Sequence, residues 1–223
     1  MTEVHLSDGA TVIVRPIRPS DRDLLLDGFE RLSPQSRYRR FLAPMDDLSE
    51  PMLRHLTEVD HHDHEAIGAI DPASGHGIGI ARFVRLADRP DAAEAAVTVA
   101  DDWQGRGLGT VLLGALADRA RSEGIHVFTA IVLAANEEML EVLEHVGRVR
   151  VVDRESGTVE IEVDVPSDRA ELRRLLRAAQ AGNGPARWTS PGSSRPSTPD
   201  NHSDTPITPS RSTPDSTPSR PSR

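Results

Sequence analysis

At 223 residues, 37% of them apolar, the chain can bury one good core but not two large ones. It has no cysteine, which excludes a disulfide framework or a thiolate metal site, and no lysine, which excludes a P-loop. Its formal charge of −9 hides a body more acidic than the tail, since residues 183–223 carry five Arg against three Asp; such a body disfavours nucleic acid and suits a cationic partner.

No signal peptide is recognisable at the N-terminus, and no apolar run approaches the roughly 20 residues of a membrane span, so a cytoplasmic protein is expected. Residues 10–17 read as a first strand, closed by Pro16 and Pro19. Ser20 and Asp21 then cap a helix striped by Leu24, Leu25, Phe29 and Leu32, with Ser33-Pro34 as its stop. The basic and aromatic cluster Arg37–Phe41 reads as a connecting segment pinned by Tyr38 and Phe41, or as the lining of a substrate entrance. Ser49 and Pro51 open a second helix carrying Met52, Leu53 and Leu56.

The His-rich run Val59–Glu65 looks metal-like, but successive side chains of an extended chain point alternately, so at most His62 and His64 share a face. No metal site is expected there; a loop or strand end near an acceptor cleft is. Residues 66–71 and 78–86 form a hairpin around the Pro72–Gly77 loop. A strand at 94–100 follows, then a glycine-rich turn and a helix to about Glu123, stopped by Gly124. Val127–Leu133 is a strand, Asn136 starts a helix closed by Gly147, and 149–152 with 158–165 make a last hairpin. Asp168 and Glu171 supply a capping box for a helix at 167–182, and the Ser/Thr/Pro/Arg-rich stretch 183–223 reads as a disordered tail.

The turn after residue 100 carries the chemistry. Gly105, Gly107 and Gly109 lead into apolar residues at helical spacing (Val111, Leu112, Ala115, Leu116), so bare backbone N–H groups stand at a helix start. Glycines admit an anion to those groups, and the helix dipole favours it. A dinucleotide fingerprint would need a third glycine at Thr110. What remains is Gln104-x-x-Gly107-x-Gly109 behind the strand Val97-x-Val99.

That pattern resembles the pyrophosphate-binding motif of the GCN5-related N-acetyltransferases (GNAT). The segments Arg15–Asp21, Leu32–Phe41 and Ala93–Val99 are similar to the bacterial Pat-type protein-lysine acetyltransferases. The resemblance covers about residues 3–165 and implies an α+β fold with a mixed sheet, in the order β-α-α-β-β-β-α-β-α-β-β. In several such relatives another domain precedes this one; with the first strand so near Met1, none is expected here. The resemblance also implies acetyl-CoA as co-substrate, an amine acceptor (protein lysine leading) and no metal.

Under it, the amides of Arg106, Gly107, Leu108, Gly109 and Thr110 receive the diphosphate of coenzyme A, with Gln104 and Gly105 completing the turn. Val97 and Val99 pair with the pantetheine arm, and Asn136 binds the same arm or serves as a plain helix cap. Glu94 is the general base, its alternative being a solvated strand-start carboxylate. A lysine amine has a pKa of about 10.4, so the site must take up a proton. Two departures stand out: Leu143 occupies the position of the family's thiolate-protonating tyrosine, and Gly147-Arg148 replaces Gly-Phe. A small-molecule amine acetyltransferase and a weakly catalytic acyl-CoA-binding sensor remain as alternatives.

Overall fold

Strands β1 (Thr2–His5), β2 (Thr11–Pro16), β3 (His64–Ile70), β4 (Gly77–Arg85), β5 (Ala92–Val99), β6 (Val127–Leu133), β7 (Val149–Glu155) and β8 (Thr158–Asp164) build one sheet. They are set in the order β1-β2-β3-β4-β5-β6-β8-β7. The computed structural model describes residues 1–166 together with 168, 170, 173, 174 and 177. The helix expected at 167–182 lies largely, and the tail at 183–223 wholly, outside the described residues. Every neighbouring pair is antiparallel except β5 and β6, which run parallel. No helix among the described residues is long and apolar enough to cross a membrane.

The mixed sheet and the strand–helix alternation after residue 64 are as expected, and two elements are additional. β1 is a polar edge strand, paired with β2 through Val4↔Val12; with only Val4 partly buried it has no apolar alternation to announce it. Between β2 and β3 stand three helices rather than two: α1 (Arg22–Glu30), α2 (Pro34–Phe41) and α3 (Glu50–Thr57). Ser33-Pro34 does not merely stop α1. Ser33 Oγ accepts the Ser36 N–H at 3.2 Å and Pro34 takes the first helical position, so the same pair starts α2. The Arg37–Phe41 cluster is therefore helical.

Helices α4 (Leu108–Ser122) and α5 (Glu137–Glu144) supply the main core. Leu108, Leu112, Leu113 and Leu116 of α4 pack with Ala81, Phe83, Val97, Phe128 and Val132 of the sheet. A smaller cluster of Phe29, Leu32, Leu48, Leu53 and Leu56 joins α1 to α3. The strand β5 thus lies between two layers of helix, with Ala95 and Val97 turned toward α4 and Glu94, Ala96 and Thr98 on the opposite face.

Candidate active site where β5 and β6 part

The parallel pairing of β5 with β6 lasts three residues: Ala92↔Val127, Ala93↔Phe128 and Glu94↔Thr129. Beyond that β5 follows β4 as far as Val99↔Gly79, while β6 follows β8 as far as Leu133↔Thr158. The two strands splay apart, and the facing edge of residues 95–99 loses its partner strand. A cleft of about 600 Å³ fills the wedge, in the range of cofactor and substrate sites. Glu94, Val97, Val99, Gln104 to Thr110 and Asn136 all line it.

At its far end α4 begins at Leu108 on Gly107, whose φ of +84° no side-chain residue adopts easily, and no side chain caps the helix. The first bond into the helix is Val111 N–H to Gly107 O at 3.1 Å, so the N–H groups before Val111 have no helical acceptor. Gly105 has φ +71°, and a Cβ built there would meet nothing within 4 Å. An open, glycine-floored cradle of amides at the positive end of a helix fits a diphosphate.

The side chains of this turn are spent on holding it. Gln104 Nε2 donates to Val99 O (3.0 Å), Asp101 Oδ1 (3.2 Å) and Ser36 Oγ (3.3 Å), tying the turn to the end of β5 and to α2. Arg106 stacks on Trp103, 4.0 Å from its ring centre, and pairs with Asp8. Ser7 Oγ donates to Arg106 O at 3.4 Å. The Ala10 N–H and then Arg106 hold the Asp8 carboxyl below its usual range. Leu108 and Thr110 are buried, so they offer the cleft backbone rather than side chain. Asn136 is the N-cap of α5, accepting the Met139 N–H at 3.4 Å, and is only 6% exposed.

Glu94 is exposed at the parting of the strands. Arg40 of α2 also lines the cleft: burial pushes its guanidinium down, and the charge of Glu94 partly opposes that. Arg39 beside it bonds Glu138 of α5 at 3.2 Å, joining α2 to α5, and both residues line the cleft. Leu42, also in the lining, ends α2 at φ +54°. Leu143 stands in the lining at 3% exposure, whereas Tyr38 is 44% exposed and outside it.

Ser7 and Trp103 are among the lining residues that sequence reasoning did not assign to the site, and Arg39 and Arg40 were signalled only as part of a candidate substrate entrance. Only the Arg37–Phe41 cluster signalled any of them, and what brings it to the cleft is the helix α2. The run from Asp60 to Glu65 sits elsewhere. Asp60 Oδ1 accepts the N–H groups of His62, Asp63 and His64, and Glu65 is bonded by Arg119 at 2.9 Å with His61 Nδ1 2.7 Å away. His62 meets Glu123. These contacts anchor the run to the C-terminal end of α4, away from the glycine turn at its start, while His64 stands opposite Val84, which is itself opposite Glu94.

Residues 11–149 match the acetyltransferase (GNAT) domain family. Over 163 residues the chain is 38% identical to acetyltransferase Pat of Mycolicibacterium smegmatis, covering 73% of this chain and 48% of that protein. It is 34% identical over 155 residues to an acetyltransferase of Pseudomonas aeruginosa, covering 69% and 83%. The chain thus spans about half the length of the first relative and most of the second. Among solved structures, the GNAT domain of S. lividans PAT superposes with a TM-score of 0.68 at 35% identity, covering 74% of this chain and 96% of that one.

Proposed function

Because the chain belongs to the GNAT family of acetyltransferases, we propose that it moves the acetyl group of acetyl-CoA onto a primary amine, with protein lysine as the leading acceptor and Glu94 as general base. The observation that carries this reading is the parting of β5 from β6 beside the bare amides at the start of α4. Bound there, the co-substrate supplies an acetyl thioester, a carbonyl already activated toward an amine.

The chain's own groups then divide the work. Amides from Gly105 to Thr110 bind the diphosphate, and the unpaired edge at Val97 and Val99 hydrogen-bonds the amide-bearing arm as a further strand would. Asn136, already a helix cap, turns the rest of its amide to the same arm. A lysine ammonium has a pKa of about 10.4, far above that of an ordinary glutamate at about 4.3, so Glu94 does not strip it outright. It takes the proton through a water, or as the C–N bond forms. Leu143 has no proton to give, so solvent serves the departing thiolate.

The test is Glu94→Gln, assayed by release of free CoA against lysine peptides, acyl-CoA synthetases and polyamines. Turnover should fall by roughly 10²–10⁴, while acetyl-CoA still binds with unchanged affinity. Undiminished turnover removes Glu94 as the base. Leu143 at the tyrosine position favours a second reading, an acyl-CoA-binding sensor, for which the wild type itself would show no turnover with any acceptor.

A further inference from the structure

Beside the CoA cleft, under α1 and α2, lies a smaller chamber of about 90 Å³, the share of roughly three waters. Its walls are mostly apolar, with Leu24, Leu25, Phe29 and Ile80 among them. It adjoins the cleft, since Arg40, Phe41, Ala96 and Thr98 line both. Three arginines line it, of which Arg15 is bonded to Asp21 at 2.6 and 2.8 Å. Arg82 of β4 is 6% exposed; its Nη2 donates to Leu56 O at 3.1 Å, but its Nε has no partner. Arg40 is partly buried, and among the described residues no carboxylate lies within 4 Å of either guanidinium. Thr98 Oγ1 is likewise buried without a partner. Burial and the neighbouring Arg40 push Arg82 down to about 10, which leaves it charged at neutral pH.

Buried charges are ordinarily paired and buried donors ordinarily bonded. Arg40 feels the charge of Glu94, but Arg82, with its idle N–H, and the idle hydroxyl of Thr98 have no anion at hand among the described residues. The chamber's position says whose anion belongs there. Glu94, Ala96 and Thr98 follow one another on one face of β5, about 7 Å apart, and Arg82 is in register with Ala96. Arg82 thus stands across from the residue that is one same-face step along β5 from Glu94, the carboxylate at which the amine is deprotonated.

We propose that this chamber recognises a carboxylate carried by the acceptor, so that the preferred substrate is an amine with a carboxylate a few bonds away. The inference rests on acetyl transfer at Glu94 and names the class of acceptor for it. The chamber's volume suits the carboxylate and short chain of a free amino acid; the same chemistry is presented by a peptide lysine beside an acidic residue.

The experiment uses the full chain and acceptors matched in all but charge: β-alanine, γ-aminobutyrate and L-valine against their carboxamides, and lysine peptides with adjacent Asp against the same peptides with Asn. Free CoA release gives kcat/KM. The carboxylate member should be favoured by at least roughly tenfold, in the amino-acid pairs or in the peptide pairs according to source. Arg82→Met should reduce that ratio to about one while the Kd for CoA stays put, and Arg40→Met should reduce the ratio as well. Equal rates within every pair for the wild type, which needs no variant to fold, overturn the proposal, as does a preference that survives both substitutions. Binding of CoA with no transfer to any pair also overturns it. Loss of CoA binding altogether brings down the acetyltransferase reading beneath it, a distinguishable result.

Discussion

Gly107 shows how much of a binding site one residue can carry without a functional group. Its left-handed backbone turns the chain into α4, and a Cβ there would meet only Ser7 Oγ, at 4.0 Å. The room there is not filled by the protein, as the proposed diphosphate site requires. Gly107→Glu adds backbone strain, bulk and a negative charge where a diphosphate is to lie, so calorimetry should find no CoA binding at millimolar concentration. Binding that persists would mean the anion sits elsewhere. Glu94 and Asn136 are different in kind, because each has a plain structural setting, an exposed strand residue and a helix cap, beside the role proposed for it.

Among the elements, α5 has the tightest seat. Gly147 follows it and does not appear among the glycines of positive φ, so it is not a left-handed cap. A Cβ at this position would lie 1.8 Å from Asp164 O, in β8. The close approach of two backbones, not helix termination, explains the glycine. Gly147→Ala should cost about 1–3 kcal/mol in denaturant unfolding through overpacking, and shift the end of α5 against β8. An unchanged midpoint would show that the backbone yields there freely. The helix α2 matters for the opposite reason. It is short and largely polar, and its service is to hold Arg39 and Arg40 over the cleft.

Acid should weaken the fold in two pH ranges with distinct causes. His64, stacked on His55 at 4.7 Å, is pushed down to about 4, first by burial and then by Arg82. Between pH 6.5 and about 4 the unfolded chain therefore binds a proton that the folded chain refuses, and stability falls with pH across that window. Glu144, raised by burial, works against this trend in the carboxylate range. Denaturant titrations at pH 7 and pH 5 should show a larger loss for the wild type than for His64→Gln; equal losses exclude His64 as the cause. The second range involves Asp21, which Arg15 grips through both oxygens at 2.6 and 2.8 Å and which the Arg18 N–H also bonds. Those bonds hold its carboxyl below the ordinary 3.8, so its contribution is full above that pH and is lost as pH falls through the lowered value.

What the sequence determined by itself was everything set by local chemistry. Glycine spacing after a β-branched strand marks an anion-binding helix start, and apolar periods of two and 3.6 mark most of the elements and their order. Ser33-Pro34 was legible as punctuation but not as a beginning, because the same residues end one helix and start the next. The tertiary structure decided what depends on partners distant in the chain. It parts β5 from β6 after Glu94↔Thr129, since their other neighbours pull them along different lines. It brings Ser7 against Arg106, sends the His-rich run to the far end of α4, and encloses Arg82 without an anion. None of these has a spacing to read, because strand registry and helix docking, not neighbouring residues, put the groups together.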